Sequence, residues 1–176
     1  MVAKKTEMRI TVSAVLALGS ALALGATLAQ GQNSLVDGMG WRNSKPATVE
    51  YLYPGQVTVP AGKPRTVALH FRIAQGMHIN SNTPKEKELT PTTFSIPASS
   101  GVRLDGTVYP PGAEFRPPLD PKAKLSVYTG EFTLRARIVA VAGNHLVEAK
   151  LHYQACANNE CTPPKTITAA IDVIGQ

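Results

Sequence analysis

The sequence predicts an all-β fold, an antiparallel sandwich, on three observations. Short runs alternate apolar and polar residues with a period of two. Turn signals rich in proline and glycine fall between those runs. No segment sustains a helical period. The 14 prolines in 176 residues add weight, because a proline inside a helix removes a backbone donor and clashes with the preceding turn.

Residues 1–31 read as an export signal. Lys4, Lys5 and Arg9 give a positive start, Ile10 to Ala29 carries no charge, and Thr27-Leu28-Ala29 offers small residues for a cut near Gln30. An uncleaved membrane anchor is the alternative, since the apolar run approaches the roughly 20 residues that span a bilayer. The glycines, alanines and serines in the run favour the signal. Residues 32–47, polar and without a period, read as a flexible lead with Trp41 as its one aromatic, and residues 48–176 as the folded domain.

Three of the 18 basic residues and one of the 12 acidic residues leave with the signal, so the net charge falls from +6 to +4. The remaining lysines and arginines are scattered, with few aromatics between them. That pattern excludes a nucleic-acid surface. About 145 residues remain, enough to bury a core in a single domain.

Within the domain, Thr48–Tyr53 and Gln56–Val59 are short predicted strands around Pro54-Gly55, and Pro60 to Pro64 is a turn. Thr66–Ile73 alternates with Val67, Leu69, Phe71 and Ile73 on one face. Gln75-Gly76 turns the chain into Met77–Asn80. Ser81 to Pro91 is a charged loop, Thr92–Ile96 and Val102–Tyr109 are strands, and Pro110 to Leu125 is a long proline-rich loop. Glu131–Val141 alternates again through Phe132, Leu134, Ala136 and Ile138. Gly143-Asn144 turns into Val147–Ala155, and Thr166–Ile174 closes the domain.

The last two strands flank the only two cysteines, Cys156 and Cys161. Two cysteines in an exported chain sit in a disulfide-permissive compartment. A cross-link closing about six residues contributes roughly 2 kcal/mol, against roughly 4 for one closing sixty. A pair this local is a weak staple, and on spacing alone a hairpin clip and an exchange reagent remain equally open.

Tyr153-Gln154-Ala155-Cys156, a short polar loop, then Cys161-Thr162-Pro163-Pro164 resembles the signature of the N-terminal periplasmic domain of the thiol:disulfide interchange protein DsbD. Gly76 to Ser81 and Val127 to Glu131 extend the resemblance, which spans about Thr48 to Ile174. It implies an immunoglobulin-like sandwich whose cysteines exchange electrons with thioredoxin-like proteins of the cell envelope, in the periplasm. A membrane reductase is the candidate electron donor, and the module is expected to act as a monomer without a cofactor. This chain departs from the family in three ways. Its inter-cysteine loop is a residue shorter than in some members. His78 and Asn80 stand where tyrosines are frequent. It ends at Gln176, so the domain is expected to stand alone, without the membrane and thioredoxin-like domains of full-length members.

By that resemblance Cys161 takes the mixed disulfide and Cys156 resolves it, with His78, Asn80 and Tyr153 beside them. An acidic residue followed by an aromatic caps the sulfurs. Glu114-Phe115 is the match here, and Leu119-Asp120 the rival. His78 shares a strand face with Asn80 and is placed to move a proton or tune a cysteine.

Other chemistries fare less well. His152, Cys156 and Cys161, with Met77 or His78, form a conceivable ligand set for a soft ion such as Cu(I). But His152 lies four strand residues from Cys156, about 13 Å at 3.3 Å per residue, so no metal is expected from that set. No phosphate-binding glycine loop or nucleophilic triad spacing occurs. A non-catalytic binding sandwich with a static hairpin disulfide is the competing reading.

Overall fold

The computed structural model describes residues 47–53, 55–157 and 160–176. The signal segment, Trp41 and the lead up to residue 46 lie outside the described residues.

Thirteen strands are described: β1 (Val49–Leu52), β2 (Gln56–Val59), β3 (Arg65–Ile73), β4 (His78–Asn80), β5 (Thr93–Ser95), β6 (Val102–Val108), β7 (Ala113–Phe115), β8 (Leu125–Tyr128), β9 (Glu131–Ala140), β10 (Gly143–Tyr153), β11 (Ala155–Ala157), β12 (Glu160–Cys161) and β13 (Lys165–Gly175). One 3-10 turn, Ala98–Ser100, is the only helical element among the described residues. The strands form three sheets, in the orders β1-β3-β9-β6, β2-β13-β10-β5 and β12-β11-β4-β8-β7. The first two face each other as an immunoglobulin-like sandwich. All described pairings are antiparallel except β2 with β13.

Alternation builds the core. Val67, Leu69, Phe71 and Ile73 of β3, with Phe132, Leu134, Ala136, Ile138 and Ala140 of β9, face Val147, Ala149, Leu151 and Tyr153 of β10 and Ala169, Ile171 and Val173 of β13. The residues between them point outward, as the pleat requires. An aromatic ladder runs through this core: Tyr51 against Phe71 with ring centroids 5.3 Å apart, Phe71 on Phe132 at 5.3 Å, and Phe132 on Tyr128 at 5.0 Å. Tyr128 belongs to the third sheet, so the ladder joins that sheet to the sandwich.

Three elements differ from the sequence expectation. The predicted loop from Pro110 to Leu125 contains β7, and the unpredicted β8 begins at its end. A three-residue strand bounded by prolines has no room to show alternation, and β7 forms through its distant pairing with β8. Gly143-Asn144 is the start of β10 rather than a turn, and the reversal falls at residues 141–142. The predicted single strand Val147–Ala155 is two strands broken at Gln154, where the chain leaves the second sheet and enters the third. The Gln75-Gly76 turn is present, with Gly76 at φ 77°, a left-handed conformation that glycine adopts without a Cβ clash.

Candidate functional site

The site grows out of the longest ladder in the molecule. β10 and β13 pair from Gly143↔Gly175 to Tyr153↔Lys165. Beyond Tyr153 the two chains move to the third sheet as β11 and β12, which pair Cys156↔Cys161 and Ala157↔Glu160. Two residues separate Tyr153 from Cys156, and three separate Cys161 from Lys165. The extra residue on the outgoing side falls within Thr162-Pro163-Pro164, a break in the ladder where missing proline donors cost nothing.

Cys156 and Cys161 are joined, with Sγ–Sγ 2.07 Å and Cα–Cα 4.0 Å. The Thr162 N–H donates to the Ala155 carbonyl at 2.8 Å, so 155 and 162 form the hydrogen-bonded rung. The cysteines therefore take the neighbouring non-hydrogen-bonded position, where side chains approach most closely. The two sulfurs differ in environment. Cys156 is 2% exposed, whereas Cys161, on the edge strand β12, is exposed.

On its other side β11 pairs with β4, placing His78 directly across from Cys156. Cys161, Cys156 and His78 thus occupy one row across three strands. They share a groove of about 240 Å³ with Pro117, Leu119, Asp120 and Leu125. His78 is 4% exposed. Burial disfavours its charged form and holds the imidazole below its usual range. The unfolded chain therefore binds more protons than the native state below about pH 6.5, and stability falls as the pH drops from there through the native pKa. Denaturation midpoints at about pH 7.5 and about pH 5 should differ more for the parent than for His78→Tyr. Equal differences would show that His78 is already ionised in the native protein at the lower pH.

Asn80, two residues on, is fully buried and does not line that groove. Its Nδ2 donates to the Thr90 carbonyl and to Gln154 Oε1, both at 3.1 Å. Gln154 Oε1 also accepts from the Thr90 N–H at 3.2 Å, and its Nε2 donates to the Thr162 carbonyl at 3.4 Å. Gln154 therefore ties β4, the 81–92 loop and the outgoing cysteine strand together. Tyr153 lies in the hydrophobic core at 2% exposure, anchoring the end of β10.

Phe115, on β7, packs against His78 with ring centroids 4.3 Å apart. It lines a second cleft of about 400 Å³ on the side of His78 formed by Ile73 to Met77, Thr129 and Gly130. Leu119 and Asp120 line the groove at the sulfurs themselves. Glu114 does not line that groove and pairs with Arg116 at 2.9 Å and Lys85 at 3.8 Å. Partial desolvation resists its ionisation, but Lys124, Arg116 and Lys85 outweigh it and hold the carboxyl below its usual range. His152 is on β10, bound through Nδ1 to Thr166 Oγ1 at 3.0 Å. Gln154, Pro117 and Leu125 were given no role from the sequence. Gln154 stood out only as part of the Tyr153-Gln154-Ala155-Cys156 stretch, because by pattern it simply continues the polar positions of the alternating run.

What fold and pair define is a class of protein: a β-sandwich carrying a thiol–disulfide exchange centre on an attached sheet. The sequence matches the family described as Thiol:disulfide interchange protein DsbD, N-terminal, over residues 48–172, and the chain belongs to that family. Among solved structures it is similar to the DsbD N-terminal domain of Neisseria meningitidis in the reduced form, at 21% identity and TM-score 0.44, covering 65% of this chain and 82% of that one. It is also similar to the N-terminal periplasmic domain of ScsB from Proteus mirabilis, at 13% identity and TM-score 0.43, covering 68% of this chain and 43% of that one. No curated protein matches the chain at a significant level.

Replacing both cysteines by alanine should leave cooperative unfolding intact and lower stability by about 2 kcal/mol, the contribution of so short a ring. Denaturant melts with matching m-values would bear this out. Global loss of structure would make the pair a staple.

Proposed function

We propose that the domain is exported to the periplasm and relays electrons between thioredoxin-like envelope proteins through the Cys156/Cys161 pair, as a protein-disulfide reductase-type carrier. The observation that carries this reading is the asymmetry of the pair: one sulfur is exposed at a strand edge, and the other is buried beside a histidine.

A partner thiolate attacks Cys161 Sγ, the S–S bond breaks, and Cys156 leaves as a thiolate. The partner's second thiolate then attacks the partner sulfur of the mixed disulfide and frees Cys161. The domain gains two electrons and two protons, and the partner becomes a disulfide. Run in reverse, Cys161 attacks an acceptor disulfide and Cys156 resolves the product. His78, across from Cys156 and neutral at physiological pH, accepts a proton from the Cys156 thiol when that sulfur must attack, and returns it when that sulfur leaves. Asn80 and Gln154 hold the strand that presents the pair.

Shielding of the sulfurs falls to the 110–125 segment, with Leu119 at the groove and Phe115 acting through His78. Leu119→Ala should speed reduction by a small thiol more than Phe115→Ala does, with stability unchanged. The reverse order would return the shielding role to Phe115. The test of the function is a redox titration of the native domain, with reduction by a thioredoxin-like protein followed in parallel. A pair that no such reductant opens, with a potential well below about −300 mV, would mark a structural disulfide and end the proposal.

A further inference from the structure

Opening the S–S bond removes one fastening of β12, the edge strand that carries Cys161. What remains is short. β11 and β12 share two rungs, Cys156↔Cys161 and Ala157↔Glu160. A two-stranded ribbon of that size is marginal in water by itself. β11 does not depend on it, because β4 pairs its other side. β12 pairs with β11 alone among the described strands. The chain that follows has no backbone donor at Pro163 or Pro164. Thr162 carries the fastening instead. Its N–H and Oγ1 both donate to the Ala155 carbonyl, at 2.8 and 3.2 Å, and its own carbonyl accepts from Gln154 Nε2 at 3.4 Å.

Gln154 is fixed at its other end. Oε1 accepts from Asn80 Nδ2 at 3.1 Å and from the Thr90 N–H at 3.2 Å, which uses both of its lone pairs. The amide cannot turn over. Exchanging its oxygen and nitrogen would set the NH2 against both of those donors and leave an oxygen facing the Thr162 carbonyl. Asn80 is buried on β4, the central strand of the third sheet. One side chain thus reaches from the centre of that sheet, past β11, to the residue after Cys161.

We infer that Gln154 is a positioning residue for thiol–disulfide exchange: it keeps Cys161 in register with Cys156 while the S–S bond is open. The inference deepens the exchange reading and rests on it only in requiring a pair that opens. Closing the ring joins two thiols already side by side, and holding reacting groups together makes such a step effectively unimolecular. Dithiothreitol gives the balanced reaction. Its two thiols deliver two electrons and two protons to the S–S bond, Cys156 and Cys161 become thiols, and the reagent closes to its own cyclic disulfide. A fastening that favours the closed hairpin moves this equilibrium toward the protein disulfide. Linkage makes the effect reciprocal, so the Gln154–Thr162 bond is stronger in the oxidised domain than in the reduced one by the same factor.

The experiment equilibrates the full domain with reduced and oxidised dithiothreitol in varied ratio and counts protein thiols. Gln154→Glu, ionised at neutral pH, keeps an acceptor for Asn80 and Thr90 but has no donor for Thr162. Gln154→Leu has neither. Both variants should shift the constant toward the dithiol by about threefold, the scale of one modest net hydrogen bond. That factor is about 14 mV, a tenfold change being about 30 mV. General destabilisation does not produce it. Ile138→Val trims a buried side chain near the end of β9 and should leave the constant unchanged. In the parent, hydrogen exchange at the Thr162 amide should stay slow after reduction, and in reduced Gln154→Leu it should speed up severalfold.

Loss of Thr162 protection on reduction of the parent would overturn the inference without any variant. So would parent-like constants in both Gln154 variants, or an equal shift in Ile138→Val. A shift in only one Gln154 variant would overturn the bond to Thr162 as its cause. In each of these cases the pair still opens and exchange stands. A pair that dithiothreitol never opens would instead end the exchange reading, and this inference with it.

Discussion

With Cys156→Ala, a thioredoxin-like partner that lacks its own resolving cysteine should accumulate as a trapped mixed disulfide. With Cys161→Ala, the trapped complex should be lower by an order of magnitude or absent. The expectation follows from exposure. Attack needs an approach in line with the S–S bond to a reachable sulfur, and Cys161 sits on the edge strand while Cys156 is 2% exposed. Removing Cys156 takes away the thiol that would resolve the complex. Removing Cys161 leaves only a buried sulfur between β12 and β4. Non-reducing electrophoresis and mass determination read the result directly. Equal trapping by both variants would mean that β12 moves aside to uncover Cys156, and would overturn the order of attack while keeping the exchange.

Phe132→Ala should cost about 3–5 kcal/mol, the range for a buried phenylalanine reduced to alanine. The side chain is 7% exposed and stacks on both Phe71 and Tyr128, each aromatic pair adding about 0.5–1.5 kcal/mol beyond its buried area. Tyr128 in turn donates from its hydroxyl to Asn82 Oδ1 at 2.7 Å and sits on β8, which pairs with β4 beside the cysteine strands. The loss should therefore reach the site, and amides of β4 and β8 should exchange faster in the variant. A change below about 1 kcal/mol by denaturant titration would show that the core closes around the gap. Protection unchanged in β4 and β8 would show that the third sheet does not depend on the ladder.

The sandwich was legible where one face of a strand is buried and the other wet. Thr66–Ile73 and Glu131–Val141 alternate because one face of each meets the core and the other the solvent, and the structure has them as β3 and β9. The third sheet was less legible because burial there does not alternate: β4 is buried at all three residues. Its strands are also short, and β7 and β8 owe their existence to each other and to β4 rather than to local pattern. The nearness of the two cysteines was readable from their spacing and the place of His78 beside them from the family resemblance, and the structure joins the cysteines and has His78 across from Cys156. The contribution of Gln154 was not readable, because its partners Asn80, Thr90 and Thr162 come from separate stretches of chain. For the same reason the sequence offered Glu114-Phe115 and Leu119-Asp120 as rivals. Only the path of the loop assigns one pair to the histidine and the charged rim, and the other to the sulfurs.

The break at Gln154 has a thermodynamic consequence. The disulfide rung lies outside the eleven-residue register of β10 and β13, offset from it by the extra residue before Lys165. A sulfur pair that separates on reduction then displaces a short hairpin and not the sandwich. The heat capacity change of unfolding, which tracks apolar area exposed, should be the same for the oxidised and reduced domains. Their difference in stability would then report chain connectivity in the unfolded state, and the exchange proposed above would need no folding step in its cycle.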